Sequence, residues 1–509
     1  MNQLFSNIRI SKTFCLLIVI GLTVWAQHSW VPGFFQDGYL YAAFGKNAAE
    51  AGYWLIPHLS PATYPEFGQH TPFAFILEGL FFTLFGSSYT SARIFATLFT
   101  ILTMAVIYFW CKKFEKNLAF LSSFIFIFIP PLIKKTRFPN MDLPLMLWIY
   151  LSLYFSFYAI EKNKRYFWIF SGLFFGFAML TKGPIAFSIP LSLVIYLLFT
   201  KKTKILLNIW PWLSLLFGFA LFSIWPLSLY CMGRMDIFYD YTKTVFIDTA
   251  VLARGQPSPF YTYIKFFITT SLPWFILTII SVYLLIKRKI KIEYKNITVF
   301  FISFFFPTLL ILSLARFKYS HYLIPLYPAM SILASVSLIS LIPMEKVTNF
   351  KRIILLPLAL ALPLFFVIFP VGTEIKRDPE IFKLLELYRQ LKNPPDAIGV
   401  INDAYPFYAL ANLMGYHKGP MVFVASLDSV KNIILNKNIN QSIKRLEDDT
   451  FSGNLNHLHW SFMLRSSELE HLKSELPNFY QKFSIFIYFK KIDLYILVER
   501  PSLEDVLLN

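Results

Sequence analysis

An all-α, polytopic membrane protein with a small α/β domain at its C-terminal end is the fold class this sequence predicts. Three observations lead to it. Of the 509 residues 56% are hydrophobic, 19% aromatic and only 15% charged, a balance unlike that of a water-soluble globule. Apolar segments of about 17 to 25 residues, long enough to cross the hydrocarbon core as helices, recur along the chain. Between them lie short clusters of Lys and Arg: Arg9 and Lys12, Lys112/Lys113/Lys116, Lys162/Lys164/Arg165, Lys201/Lys202/Lys204, Lys287 to Lys295, and Lys346/Lys351/Arg352. Short loops rich in Lys and Arg stay in the cytoplasm, so these clusters mark one side of the membrane.

In chain order the expected spans are residues 13–30, 89–111, 117–133, 142–160, 166–181, 184–200, 208–230, 263–286, 296–314, 320–342 and 352–371. A count of about eleven puts every regular cationic cluster on the cytoplasmic side. Residues 73–86 are a further apolar stretch, but it is short and holds Glu78, so it reads as a helix partly embedded at the outer face. The apolar run from Thr13 to Ala26 follows a basic region without a small-residue cleavage site and reads as an uncleaved first span. Residues 1–372 thus form the membrane domain, with outer segments at 31–72 and 231–262. Residues 373–509 are more polar, and β-type runs AIGVI (397–401), MVFVA (421–425) and FSIFIYF (483–489) alternate with helix-like stretches at 428–436 and 466–475. An odd number of spans from a cytoplasmic N-terminus puts this α/β domain outside, as a soluble periplasmic domain.

A net charge of +18 would suggest nucleic acid in a soluble protein. Here much of the excess sits beside spans, where anionic lipid headgroups are the simpler counter-ion. Cys15, Cys111 and Cys231 make no disulfide framework.

The informative cations are those on the wrong side: Lys134, Lys135, Arg137, Lys182, Arg254, Arg316 and Lys318. Headgroup contact is the simplest reading of any one of them. Together, close to span ends in four outer loops, they suit a phosphate at the membrane surface, where Arg offers a bidentate fork and Lys a mobile point charge. Lys182, in LeuThrLysGlyPro (180–184), occupies a turn whose following helix start offers free N–H groups to an anion. His321 lies in the same short segment as Arg316 and Lys318. In the first outer loop, Asp37 and Tyr41 fall in PheGlnAspGlyTyrLeuTyrAlaAla (35–43). A carboxylate there can accept a proton or orient a hydroxyl; capping a surface helix is the alternative. Asp142 opens a span with Pro144 in its first turn, which also suits a cap. His70 could donate to a phosphate, and with Glu66 it could contribute to a divalent metal site, although two candidate ligands fall short of a set. Preplaced cations would stabilise the charge of a departing lipid phosphate while a carboxylate handles the acceptor hydroxyl. A transporter or lipid flippase is the rival class, but its charges would sit near the bilayer midplane in repeated, broken helices.

Several motifs carry a family resemblance: AspGlyTyrLeuTyrAla (37–42), AsnAlaAlaGluAlaGlyTyrTrpLeuIleProHisLeu (47–59), GlnHisThrProPhe (69–73), Asp142 at a span start, LeuThrLysGlyPro, and ArgPheLysTyrSerHisTyrLeuIleProLeuTyrProAla (316–329). Over roughly residues 10–340 the chain resembles the GT-C glycosyltransferases, most of all the lipid A aminoarabinose transferase and protein mannosyltransferase-like group. The resemblance implies a GT-C fold and inverting transfer of one sugar from a polyprenyl phosphate to an outer-face acceptor, with lipid A or lipopolysaccharide first and protein or a surface glycan next. No redox cofactor is implied. Asp37 matches the family's catalytic loop-one acid, with Asp142 as the second catalytic candidate. His70 falls at a Lys or His of a Pro-Pro motif, Lys182 and Lys318 match motif cations, and Tyr41, Arg137, Arg254 and His321 complete the expected substrate and phosphate contacts. The chain departs from the aminoarabinose branch at Gly38, where Glu is usual, at Leu40, where Arg is usual, and at Gln69-His70-Thr71-Pro72, where Glu-Lys-Pro-Pro is usual. These departures bear on the sugar and the acceptor.

Overall fold

The computed structural model describes residues 11–31, 34, 36–59, 64–248, 257–316, 318–369, 395–401, 421–425, 427–435, 459–476, 483–489 and 494–499. The described helices in the first half are α1 (Lys12–Ala26), α2 (Gln36–Ala51), α3 (Phe73–Phe85), α4 (Tyr89–Lys112), α5 (Lys116–Ile127), α6 (Pro130–Lys135), α7 (Asp142–Lys162), α8 (Tyr166–Lys182), α9 (Ser188–Phe199) and α10 (Ile209–Cys231). Then follow α11 (Met235–Thr242), α12 (Thr262–Thr270), α13 (Trp274–Ile286), α14 (Ile292–Leu314), α15 (Tyr327–Leu341) and α16 (Met344–Ile368). Chain contacts define two compact units, one of Met1–Trp30, Gly68–Ala74 and Ser88–Thr373, the other of Val31–Phe67, Phe75–Ser87 and Glu374–Asn509.

The first unit is a helical membrane bundle. Among the described residues seven helical runs are long and apolar enough to cross a bilayer, and α12 with α13 makes an eighth if that bent pair is one span. The expected eleven segments therefore do not all appear as separate full-length helices. Pro130 and Pro131 cannot continue a helix hydrogen-bond ladder, so residues 117–133 split into α5 and α6. Around Pro273 the chain bends by 111° between α12 and α13. Residues 166–199, expected as two spans, form one 34-residue helical run that changes character at Gly183–Phe187, a 3₁₀ turn.

Local sequence explains the helix starts. Ser88 caps α4 by accepting from the Ser91 N–H at 3.1 Å, and the Glu115 carboxylate caps α5 by accepting from Leu118 N–H at 2.8 Å. Bundle packing relies on small residues. A Cβ on Gly172 of α8 would lie 2.4 Å from the Ser214 carbonyl oxygen of α10, so these backbones touch only because position 172 is glycine. Ser156 and Ser171 join α7 to α8 through hydroxyls 2.5 Å apart. The buried Tyr150 of α7 donates to the Pro325 carbonyl at 3.0 Å and accepts from Ala329 N–H at 2.7 Å. It thereby satisfies the backbone where the 3₁₀ turn Ser320–Leu326 meets α15, and fixes that turn against α7.

The second unit contains α2 and α3, whose Phe44 and Phe75 rings meet at 5.1 Å with Phe67 alongside. The segment expected as an outer loop at 31–72 thus holds a 16-residue helix. Its Asn47 amide donates to the His58 and Leu59 carbonyls at 2.7 and 2.9 Å, tying the following loop to the helix. The sheet of this unit comprises β1 (Ala397–Ile401), β2 (Met421–Ala425), β3 (Trp460–Leu464), β4 (Phe483–Phe489) and β5 (Leu494–Glu499), in the order β2-β1-β3-β5-β4. β1 pairs in parallel with β2 and β3, whereas β5 pairs antiparallel with β3 and β4. Helices α17 (Leu427–Ile434) and α18 (Ser466–Glu475) complete it. Every residue of β3 is buried, as expected of a central strand covered on both faces.

Candidate active site

The first unit encloses a cavity of about 660 Å³, within the usual range for small-ligand sites. Its polar lining includes His70, Asp142, Lys182, Tyr241 and Tyr322; most of the rest, including Leu145, Ile185, Leu191 and Val245, is apolar. Three of its apolar residues, Phe187, Ile311 and Leu314, are 43%, 52% and 67% exposed. The cavity is therefore amphipathic and reaches the apolar flank of the bundle.

Its charged centre is an ion pair between two helix ends. Lys182 is the last residue of α8, and its Nζ lies 2.6 Å from Asp142 Oδ1 in the first turn of α7. Each charge suits its helix end, since a carboxylate is favoured near an N-terminus and a cation near a C-terminus. Asp142 does not cap α7. The Asn140 side-chain oxygen accepts from Leu143 N–H at 3.2 Å, which leaves the Asp142 carboxylate for the lysine. The side chains are 5% and 16% exposed for Asp142 and Lys182, so the pair is largely desolvated on the acidic side. Gly183 ends α8. Its φ of +53° is one that a side chain resists, and a Cβ there would lie 2.0 Å from the Tyr241 hydroxyl oxygen.

Aromatic rings line the approach. Lys182 Nζ stands 4.7 Å from the Tyr322 ring centroid, a cation–π distance. His321 packs edge-on to Tyr322 at 4.7 Å and stacks on Tyr319 at 5.1 Å. Tyr263 donates to the Tyr319 carbonyl at 3.2 Å, holding this aromatic turn from α12. His321 also lies within electrostatic reach of both Lys182 and Lys135. Two lysines thus converge on one imidazole, and one of them is neutralised by Asp142. Such a neighbourhood attracts anions.

The other expected site residues are distributed as follows. His70 lines the cavity with Asp142 and Lys182. Lys318 does not line it; its ammonium donates to the Ser258 carbonyl at 3.0 Å and the Ala315 carbonyl at 2.5 Å, and burial lowers its pKa. Its position in the structure is that of a clip between the segment before α12 and the end of α14. Arg137 is buried outside the cavity lining, donating to the His28 carbonyl at 3.3 Å, while Arg93 donates to the Arg137 carbonyl at 2.9 Å. Burial, with Arg93 adding to it, lowers the Arg137 pKa to about 9. Lys134 and Arg316 are exposed, and Arg254 lies outside the described residues. Asp37 and Tyr41 belong to the second unit, one helical turn apart on α2, each partly exposed. Tyr41 packs against Phe75 at 5.5 Å. Among the described residues no group of three or more His, Cys, Asp and Glu could hold a metal ion.

Tyr241 and Tyr322 were not among the expected contacts, and Lys135 was singled out only as one of the cations on the wrong side. Tyr322 stands next to His321 in a motif-bearing segment, which is a usable signal. Tyr241 lies in α11, whose sequence carries no motif around it, and nothing local marks it.

Comparison with known proteins agrees with this architecture. A family model described as dolichyl-phosphate-mannose-protein mannosyltransferase matches residues 69–226, a stretch that includes His70, Arg137, Asp142 and Lys182. An uncharacterised protein of Aquifex aeolicus is 28% identical over 66% of each chain. The undecaprenyl phosphate-alpha-4-amino-4-deoxy-L-arabinose arabinosyl transferase 2 of Proteus mirabilis is 23% identical over 58% of this chain and 53% of its own length. The alignments thus span between about half and two thirds of these relatives. In fold the likeness is longer. The crystal structure of ArnT from Cupriavidus metallidurans bound to undecaprenyl phosphate superposes with a TM-score of 0.70, at 16% identity, over 96% of this chain and 97% of that one. The Archaeoglobus fulgidus oligosaccharyltransferase gives 0.51 at 13% identity, over 82% of this chain and 65% of that one. The GT-C fold expected from the sequence is the fold observed, and the chain is a polytopic membrane protein.

Proposed function

We propose that the protein is a membrane glycosyltransferase that takes a single sugar from a polyprenyl phosphate donor and passes it to an acceptor at the outer face of a bacterial inner membrane. The observation that carries this reading is the amphipathic cavity, in which the Lys182–Asp142 pair stands among apolar walls that reach the lipid-facing flank. A lipid phosphate has that same division of charge and hydrocarbon. The similarity to aminoarabinose transferases supports the donor class.

In the proposed reaction the acceptor oxygen attacks the anomeric carbon from the face opposite the phosphate. The bond between that carbon and the phosphate oxygen breaks, and its electron pair stays on the phosphate. Lys182 then balances the phosphate charge, with Asp142 holding the ammonium in place until the lipid arrives. His70 contributes a further donor from the same cavity. Asp37 is assigned as the carboxylate that receives the proton of a hydroxyl acceptor. An acceptor phosphate, already ionised, would leave Asp37 only an orienting role. The preferred sugars are aminoarabinose, hexosamine or hexose and the preferred acceptor is lipid A or lipopolysaccharide. Transfer to protein is the second reading, favoured by the mannosyltransferase family match. The N-terminus is assigned to the cytoplasm and the C-terminal α/β domain, from residue 373, to the periplasm.

Incubating the purified protein with a panel of undecaprenyl phosphate sugars, lipid A and membrane protein, and reading products by mass spectrometry, tests the proposal. A mass gain of one sugar on an acceptor, lost in Asp37→Asn, is expected. No transfer from any donor, or undiminished transfer by Asp37→Asn, would contradict it.

A further inference from the structure

Helix α11 packs tightly against two glycines in segments that carry cavity-lining residues. A Cβ on Gly68, two residues before His70, would lie 2.9 Å from Asp240 Cβ and 3.0 Å from the Ile237 carbonyl oxygen. A Cβ on Gly183, next to Lys182, would lie 2.0 Å from the Tyr241 hydroxyl oxygen. One short helix thus bridges the segment carrying His70 and the turn carrying Lys182, and Tyr241 and Val245 extend from it and its continuation into the cavity lining.

The Tyr241 ring is fixed. It packs edge-on against Trp225 of α10 at 5.4 Å and lies 6.1 Å from Phe238, and the residue is 3% exposed. Its hydroxyl makes no hydrogen bond to the described residues and is not among the sealed-off polar atoms of the core; the residue lines the cavity. A rigid phenol with an unused donor, beside the turn of a paired lysine and facing an amphipathic cavity, is built to meet an oxygen of something bound there.

We infer that Tyr241 is a ligand-binding residue whose phenol donates a hydrogen bond to the phosphate of a lipid held at Lys182. This rests on the reading of the cavity as a polyprenyl phosphate site. It adds that α11, itself outside the spanning helices, supplies part of the headgroup contact from the opposite side of Gly183.

The test measures binding of undecaprenyl phosphate, undecaprenol and phosphatidic acid to the full-length protein in detergent, for wild type, Tyr241→Phe and Tyr239→Phe. Tyr241→Phe removes one oxygen and keeps the ring against Trp225; Tyr239, 66% exposed on the same helix, is the control. Loss of one charge-assisted hydrogen bond predicts about tenfold weaker undecaprenyl phosphate binding in Tyr241→Phe. Undecaprenol binding should not change, Tyr239→Phe should match wild type, and phosphatidic acid should bind wild type more weakly than the polyprenyl lipid. Equal undecaprenyl phosphate affinity in wild type and Tyr241→Phe overturns the inference alone. An equal loss for phosphate and alcohol also overturns it, by making Tyr241 a wall of the lipid chain. Failure of wild type to prefer undecaprenyl phosphate over undecaprenol or phosphatidic acid overturns the reading of the cavity as well.

Discussion

Replacing Asp142 by Asn should destabilise the protein by about 3 kcal/mol, the lower end of the range for breaking a buried ion pair. The lower end applies because Lys182 is 16% exposed and still faces the Tyr322 ring, so its charge is not stranded in a dry interior. Lys182→Met should cost about 2 kcal/mol, because the remaining carboxylate sits in the first turn of α7, where the helix dipole offsets part of its charge. The double variant leaves neither charge uncompensated, so its cost should fall short of the sum of the single costs by about 2 kcal/mol. Sodium dodecyl sulfate titration of the four proteins in mixed micelles, followed by tryptophan fluorescence, reads the unfolding free energies and hence the coupling. Additive costs, within about 0.5 kcal/mol, would refute the claim that these two side chains act as one buried unit. The same variants separate structure from function. Asp142→Asn keeps the ammonium and should still bind undecaprenyl phosphate; Lys182→Met should not.

Two further outcomes follow from the backbone and from burial. Gly183→Ala should cost about 2 kcal/mol through its positive φ, with an added steric cost against the Tyr241 hydroxyl, and Gly183→Ala/Tyr241→Phe should recover only the steric part; thermal melts of the three proteins in detergent distinguish full from partial recovery. Glu78 of α3 is completely buried against Gly45, and burial raises its pKa well above the carboxylate range. A raised carboxylate pKa means that ionisation is penalised in the folded state, a penalty absent below the ordinary glutamate pKa and present above it. Glu78→Gln should therefore be more stable than wild type at neutral pH, with the advantage vanishing as pH falls to about 4, and a pH-independent difference would contradict this.

Local signals in the sequence were legible where one segment carries the whole message. AIGVI, MVFVA and FSIFIYF appear as β1, β2 and β4 with those bounds, and the helix expected at 466–475 is α18. The partners WSFML and LYILVE, which become β3 and β5, are short apolar runs that only sheet pairing separates from buried helix. Proline marked the breaks at Pro130 and Pro273, although the spans expected there run through both. At the site the sequence singled out Asp142 and Lys182 separately. Their pairing across 40 residues depends on α7 and α8 lying side by side, and the Asn140 side chain that accepts from Leu143 N–H, leaving Asp142 to the lysine, depends on the turn before α7. Lys318 shows the reverse case. Its motif position suggests an anion contact, whereas its ammonium is held by two backbone carbonyls whose location no sequence pattern reveals.

Photolabelling tests the central claim most directly. A polyprenyl phosphate carrying a photoreactive group in its chain, illuminated with the purified protein and mapped by peptide mass spectrometry, should mark the wall formed by Leu145, Val245 and Ile311, with labelling suppressed in Lys182→Met. Labelling confined to the adjoining apolar cavity lined by Trp168, Leu206 and Trp212, or unchanged by loss of the Lys182 charge, would contradict the account.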